Sequence, residues 1–260
     1  HAESYRKIRN TFRFVLGNLQ DKFVQQDLKK INTKNLPEIE RYILSKLFDL
    51  DNSIKSNLKN YNFHKTYKEI LKFCTLDLSS FYFDIRKDVL YCDDLNSKKR
   101  KDCIIVLNII LECLLKWFAP IFVFTTEEIF GLVSKSKTSI HETLFPIIPK
   151  DWVDDTLKKK WENLYQIKQE VNIAIEEKRS NKEIGSSLEA DIIIYVNEIE
   201  YNLLDGLDLE EYFITSKAKK IKDENSKLKV VVKKASGTKC PRCWKILENK
   251  CLRCKEAINK

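Results

Sequence analysis

Two C-x-x-C pairs near the C-terminus, Cys240/Cys243 and Cys251/Cys254, constrain this chain more than any other feature. Thiols three residues apart can reach one ion because the chain turns tightly between them. Two such pairs supply the four ligands of a closed tetrahedral site. Zinc favours thiolates, needs no redox chemistry and dominates structural all-thiolate sites. The spacing therefore predicts one structural Zn2+ held by Cys240, Cys243, Cys251 and Cys254 in a ribbon or knuckle. With no open position, the ion is expected to hold structure and not to activate water. Two disulfides of a secreted domain are the alternative.

Cations flank both pairs, in Lys239-Cys240-Pro241-Arg242-Cys243-Trp244-Lys245 and in Cys251-Leu252-Arg253-Cys254-Lys255. Arg242, Lys245 and Arg253 suit phosphates, and the indole of Trp244 suits an unpaired base. Alternatively, Trp244 is the small core of the ribbon and the cations keep it soluble. The net charge of +9 and pI near 9.0 also fit a polyanionic partner, although lysine richness can follow genomic base bias. Cys74, Cys92, Cys103 and Cys113 lie among apolar residues without ligand spacing, as reduced buried thiols of a cytoplasmic protein would. No apolar run is long enough for a membrane span, so no membrane partner is expected. The 260 residues contain no methionine, so the chain is expected to be a piece of something larger, with His1 a tag remnant.

Periodicity predicts a mainly α chain. A first helix over about Ala2–Leu19 carries Ile8, Phe12, Val15 and Leu19 on one face. A second opens near Leu36-Pro37-Glu38, proline fitting its first turn, with Ile39, Ile43, Leu47, Leu50, Ile54 and Leu58 as a narrow apolar stripe. Asn62 is the expected cap of a third helix reaching Phe81. Asp102–Phe118 is apolar nearly all round and should be buried. A short helix is expected from Pro120 through Phe130, and a long one over Thr156–Arg179. These make an antiparallel helical bundle over residues 1–150. Residues 151–236 read as the long helix plus a small α/β junction, with strands at Ala190–Val196, Tyr212–Thr215 and Lys227–Lys234 and a helix near Glu198–Leu207. Residues 237–260 are the metal module, entered through Ser236-Gly237-Thr238.

No Gly-rich phosphate loop or nucleophile elbow appears, and Val133-Ser134-Lys135-Ser136-Lys137 reads as a biased polar loop. His1, His64 and His141 stand alone, and the acidic pairs Asp154-Asp155 and Glu210-Glu211 read as solvated. No active site can be assembled, so the chain itself is expected to be non-catalytic.

Five ordered stretches resemble bacterial-type isoleucyl-tRNA synthetases. They are Ser4 to Leu19 (SYRKIRNTFRFVLGNL), Phe73-Cys74 to Asp84-Ile85-Arg86-Lys87-Asp88, and Trp117-Phe118-Ala119-Pro120-Ile121 to Glu127-Glu128-Ile129-Phe130. Ile184-Gly185-Ser186-Ser187-Leu188-Glu189-Ala190 and the Lys-Cys-Pro-Arg-Cys-Trp knuckle complete them. The resemblance implies a class Ia anticodon-binding bundle, the junction and the C-terminal zinc module of an enzyme that joins isoleucine to tRNA(Ile). ATP and Mg2+ would act only in a catalytic core preceding residue 1, as would an editing domain. It further implies a monomer whose Arg6, Lys7, Arg9, Asn10 and Arg13 grip the anticodon stem-loop, with Asn10 and Trp244 as the base contacts and Lys182 as a further RNA candidate. Arg9 and Asn10 could instead pair with neighbouring helices, and Gly185 is expected to end the long helix. The stretch between Cys243 and Cys251 is shorter than is usual in that family. A free-standing RNA-binding zinc protein and a helical protein-interaction scaffold are the competing readings.

Overall fold

Apolar spacing of three and four residues dominates the first two thirds of the chain, and helices follow it. The computed structural model describes residues 2–19, 28–134, 138–223 and 228–258. His1 and the Lys135–Lys137 part of the polar loop lie outside the described residues. In chain order the helices are α1 (Ala2–Leu19), α2 (Glu38–Lys59), α3 (Phe63–Lys72), a π-helical stretch (Phe73–Phe83), α4 (Asp84–Cys92), α5 (Lys98–Phe118), α6 (Val123–Val133) and α7 (Asp155–Ser180). Then come β1 (Ala190–Val196), α8 (Glu198–Leu203), α9 (Leu209–Tyr212), β2 (Lys217–Lys222), β3 (Lys229–Lys234), β4 (Thr238–Lys239), β5 (Ile246–Leu247) and α10 (Leu252–Ile258). The chain forms two compact units, His1–Phe83 with Lys98–Asp155, and Asp84–Ser97 with Thr156–Lys260.

The first unit is a helical bundle around α5, against which α1, α2 and α6 pack. Ile8, Phe12, Val15 and Leu19 are all buried, as their spacing predicts, and so are Ile39, Ile43, Leu47 and Ile54. Two buried polar pairs lie inside. Trp117 Nε1–H donates to Asp51 Oδ1 at 3.1 Å, and the Tyr82 hydroxyl donates to the buried Glu40 at 3.3 Å. The π-helical stretch buries Phe81, Tyr82 and Phe83 together, and Phe83 stacks on Phe14 at 4.2 Å.

Several boundaries differ from the sequence reading. Pro37 is the cap itself and not a first-turn residue, and Asn62 makes no side-chain cap bond. α5 begins at Lys98, four residues early, because a Lys98–Asp102 ion pair of 2.6 Å supports the added turn. α6 starts at Val123, since residues 119–122, around Pro120, form a turn.

The second unit is α/β. α7 buries Trp161, Leu164, Ile167, Val171 and Ile175, the face its periodicity predicts. It ends at Ser180, where Lys182 takes the left-handed conformation (φ 60°) and Glu183 N–H returns to Lys178 O. Gly185 is therefore not the helix terminator. The sheet runs β2-β1-β3, with β1 parallel to β2 and antiparallel to β3. The strand expected over Tyr212–Thr215 is absent: those residues are the last turn of α9 and the corner after it, and the strand is β2. Asp208 caps α9 by accepting from Glu211 N–H at 3.0 Å, and Ile214, left-handed at φ 59°, reverses the chain. Glu211 is not solvated either. It is buried and paired with the buried Arg86 at 2.6 Å.

Candidate metal centre and nucleic-acid surface

In the second unit, β4 and β5 form a hairpin that pairs Thr238 with Leu247 and Lys239 with Ile246. Gly237 leads into it at φ 129°, and a Cβ there would lie 2.3 Å from Leu247 O, so the close approach requires glycine. Between the strands the chain folds back on itself, with Trp244 N–H donating to Cys240 O at 3.0 Å and Cys240 N–H to Lys245 O at 2.9 Å. This turn presents Cys240 and Cys243. The second pair sits at the start of α10, where Cys254 is buried and Cys251 is half-buried.

The four sulfurs lie within 4.8 Å of one another, and Cys243 Sγ is 3.9 Å from Cys251 Sγ. An ion with four thiolates at about 2.3 Å separates them by about 3.8 Å in a tetrahedron. A disulfide needs about 2.05 Å, and none of these cysteines forms one among the described residues. The four cysteines can therefore hold a metal ion. Burial opposes ionisation at each buried thiol and pushes Cys243 and Cys254 up. Cys240 is buried as well, yet the N–H groups of Cys243 and Arg242 hold it down at about 7. One sulfur is thus ready to ionise, and the others gain from a cation between them.

A fifth thiol belongs to this cluster. Cys92, at the end of α4, packs against the four cysteines and donates to Arg242 O at 3.8 Å. Burial and the carboxylate of Asp88 push it up to about 11, so it acts as a neutral donor. Its distance of 148 residues from Cys240 hid this role in the sequence.

α4 also takes two of the knuckle's cations, Arg253 and Arg242. Arg253 grips Asp88 with two bonds of 2.6 and 2.9 Å and reaches Asp93 at 3.3 Å. Arg242 donates to Tyr91 O at 3.2 Å, and Lys245 pairs with Glu210 at 3.7 Å. These three side chains, read from sequence as phosphate contacts, bind the knuckle to its own unit. Trp244 differs. It is 61% exposed, outside any core, with φ at 63°. A groove of about 550 Å³ beside the sulfurs is lined by Pro241, Leu247 and Ile258 and by Lys239, Lys250 and Lys255.

In the first unit, Arg6, Arg9, Asn10 and Arg13 recur at three- and four-residue steps as one exposed stripe of α1, opposite its buried face. Arg6, Asn10 and Arg13 make no side-chain hydrogen bond or ion pair among the described residues. Lys7 pairs with Glu3 at 2.8 Å. Arg9 does take the neighbourly role the sequence left open, donating to Tyr5 at 3.3 Å and lying 3.7 Å from Glu128 of α6. Lys182 is exposed in the second unit.

Residues 40–194, from α2 to β1, match the family described as the anticodon-binding domain of tRNA ligase. The chain belongs to that family. Similarity to longer relatives extends over nearly the whole chain. The chain is 53% identical over 253 residues to the isoleucine–tRNA ligase of Pelagibacter ubique, covering 97% of the chain and 28% of that protein. It is 36% identical over 257 residues to that of Agrobacterium fabrum (95% of the chain, 26% of the relative) and 40% identical over 244 residues to that of Methylacidiphilum infernorum (94% and 26%). This anticodon-binding domain with its appended cysteine module thus spans just over a quarter of the length of these curated relatives. Among the described residues, no helix is long and apolar enough to cross a membrane.

Proposed function

We infer that the chain is the tRNA-recognition part of an isoleucine–tRNA ligase and that its target is the anticodon stem-loop of tRNA(Ile). The observation that carries this is the match to the anticodon-binding family over residues 40–194, joined to isoleucine–tRNA ligase relatives whose similarity covers up to 97% of the chain. The parent attaches isoleucine using ATP and Mg2+ in a catalytic core outside this chain. It works as a cytoplasmic monomer. The three-part division 1–150, 151–236 and 237–260 then reads as anticodon bundle, junction and metal module.

Zn2+ is the ion for Cys240, Cys243, Cys251 and Cys254. Thiolate ligands favour it, and a module whose apolar content is a few residues needs a cross-link to stay folded. On the bundle, the cationic stripe of Arg6, Arg9 and Arg13 meets phosphates and sets register, while Asn10 can read a base edge. On the knuckle, Trp244 offers a stacking face, whereas Arg242, Lys245 and Arg253 hold that face in place through their bonds to Tyr91, Glu210 and Asp88. Lys182 is a peripheral phosphate contact.

Fluorescence anisotropy of the whole chain with labelled anticodon hairpins tests the reading. The cognate hairpin should bind more tightly than a non-cognate one of equal charge, and log K should fall linearly with log salt. Equal affinity for every hairpin at every salt concentration would sink it.

A further inference from the structure

Between α2 and α3 the chain turns through Asn60, Tyr61 and Asn62. Tyr61 holds the left-handed conformation at φ 56° and is 80% exposed. Asparagine takes that conformation far more readily than a bulky aromatic, yet the two asparagines flank the position and the tyrosine fills it. Phe63, the first residue of α3, is 54% exposed, and its ring lies 6.3 Å from that of Tyr61 at 69°. Both rings stand largely outside the core.

The charge around them has one sign. From Asn52 to Lys72 the sequence holds five lysines and one carboxylate, Glu69. Glu69 accepts from Ser53 (2.6 Å) and Asn57 (3.1 Å), and the exposed Lys65 lies 4.0 Å from it. Lys59, Lys65, Lys68 and Lys72 are exposed. A chain of ring contacts links α3 of this corner to α1 in the same unit. Tyr67 of α3 packs edge-on to Phe122 at 6.2 Å, and Phe122 does the same to Tyr5 at 5.3 Å, whose hydroxyl accepts from Arg9.

We propose that the α2–α3 corner is a second RNA-contact surface, in which Tyr61 and Phe63 stack on unpaired nucleotides and Lys59, Lys65 and Lys68 hold the flanking phosphates. Exposed ring faces inside a lysine-rich surface are the combination that single-stranded nucleic acid requires. Protein interfaces deplete lysine, and a paired helix offers no free base face to stack on. The proposal rests on the reading of the chain as an RNA binder, and extends it to residues outside α1 and the knuckle.

The test uses the whole chain and a labelled anticodon hairpin with an unpaired loop. A Tyr61→Asn/Phe63→Leu double variant keeps residues suited to the backbone and the apolar contact but removes both rings. Its affinity should drop about tenfold, with an unchanged salt slope because the lysines remain. Tyr61→Phe should bind as the unaltered chain does, and a 4-thiouridine loop should crosslink to the peptide carrying Tyr61. An Arg6→Ala/Arg13→Ala variant reports separately on α1. If it loses binding while the ring variant does not, the corner proposal fails and the parent reading stands. If the unaltered chain binds no hairpin, both fail. A blunt duplex bound as tightly as the hairpin, or a ring variant that loses only a protein partner, also overturns the proposal.

Discussion

Trp244 occupies a backbone position that suits glycine, with φ at 63° and its indole mostly in solvent. A left-handed conformation costs a side chain roughly 1–2 kcal/mol, and a strained exposed aromatic is retained for what it touches. Trp244→Gly should therefore raise the stability of the cysteine module by up to about 1 kcal/mol while weakening hairpin binding severalfold. Thermal denaturation and anisotropy on one preparation give both readings; a variant that is destabilised and binds normally would make the indole structural. The sequence names this residue but leaves its role open, because a tryptophan beside a cysteine serves equally as core or platform. Its exposure excludes the core role. The reverse holds for Arg253, whose partner Asp88 lies 165 residues away and leaves no local signal.

Among elements, those with strong periodicity were legible. The buried faces of α1 and α7 follow directly from apolar spacing. Tyr212–Thr215 misled because aromatic and β-branched residues favour strands, whereas a capped turn and a left-handed Ile214 bury Tyr212 and Phe213 instead. β2, rich in lysine, is a strand only because β1 pairs with it along its length. Lys168 joins α7 to the end of α9. It is buried, donates to Tyr212 O and lies 5.1 Å from the Tyr212 ring centroid. Burial lowers its ammonium from 10.5 to about 8, against the pull of Asp84. The folded chain thus carries fewer protons than the unfolded chain between those values. The penalty is complete below pH about 8 and fades as pH rises towards 10.5, so stability should increase across that window by up to about 3 kcal/mol. Urea denaturation at pH 8 and pH 10 checks this, and Lys168→Met should remove the increment. A Lys168→Met curve parallel to that of the unaltered chain would refute the assignment.

At the scale of the whole molecule, the four clustered cysteines that could hold a metal ion all belong to the second unit and none to residues 1–83 or 98–155. Chelation, or Cys240→Ala, should release the ion and loosen the cysteine module, while α1, α2 and α5 keep their protection in hydrogen exchange. Metal analysis should return about one zinc per chain before chelation; a Cys240→Ala protein that retains its metal and its protease resistance would mean the ligand set is wrong. The sequence by itself determined the helical bundle and the cysteine quartet. Periodicity and ligand spacing are local properties, written within one helix or one turn. Only the tertiary structure decided that Asp88 and Asp93 occupy Arg253 and Glu210 occupies Lys245, that Cys92 joins the sulfurs, and that Tyr61 and Phe63 face outward. Pairing and exposure depend on which distant residues fold together, and no local pattern encodes that.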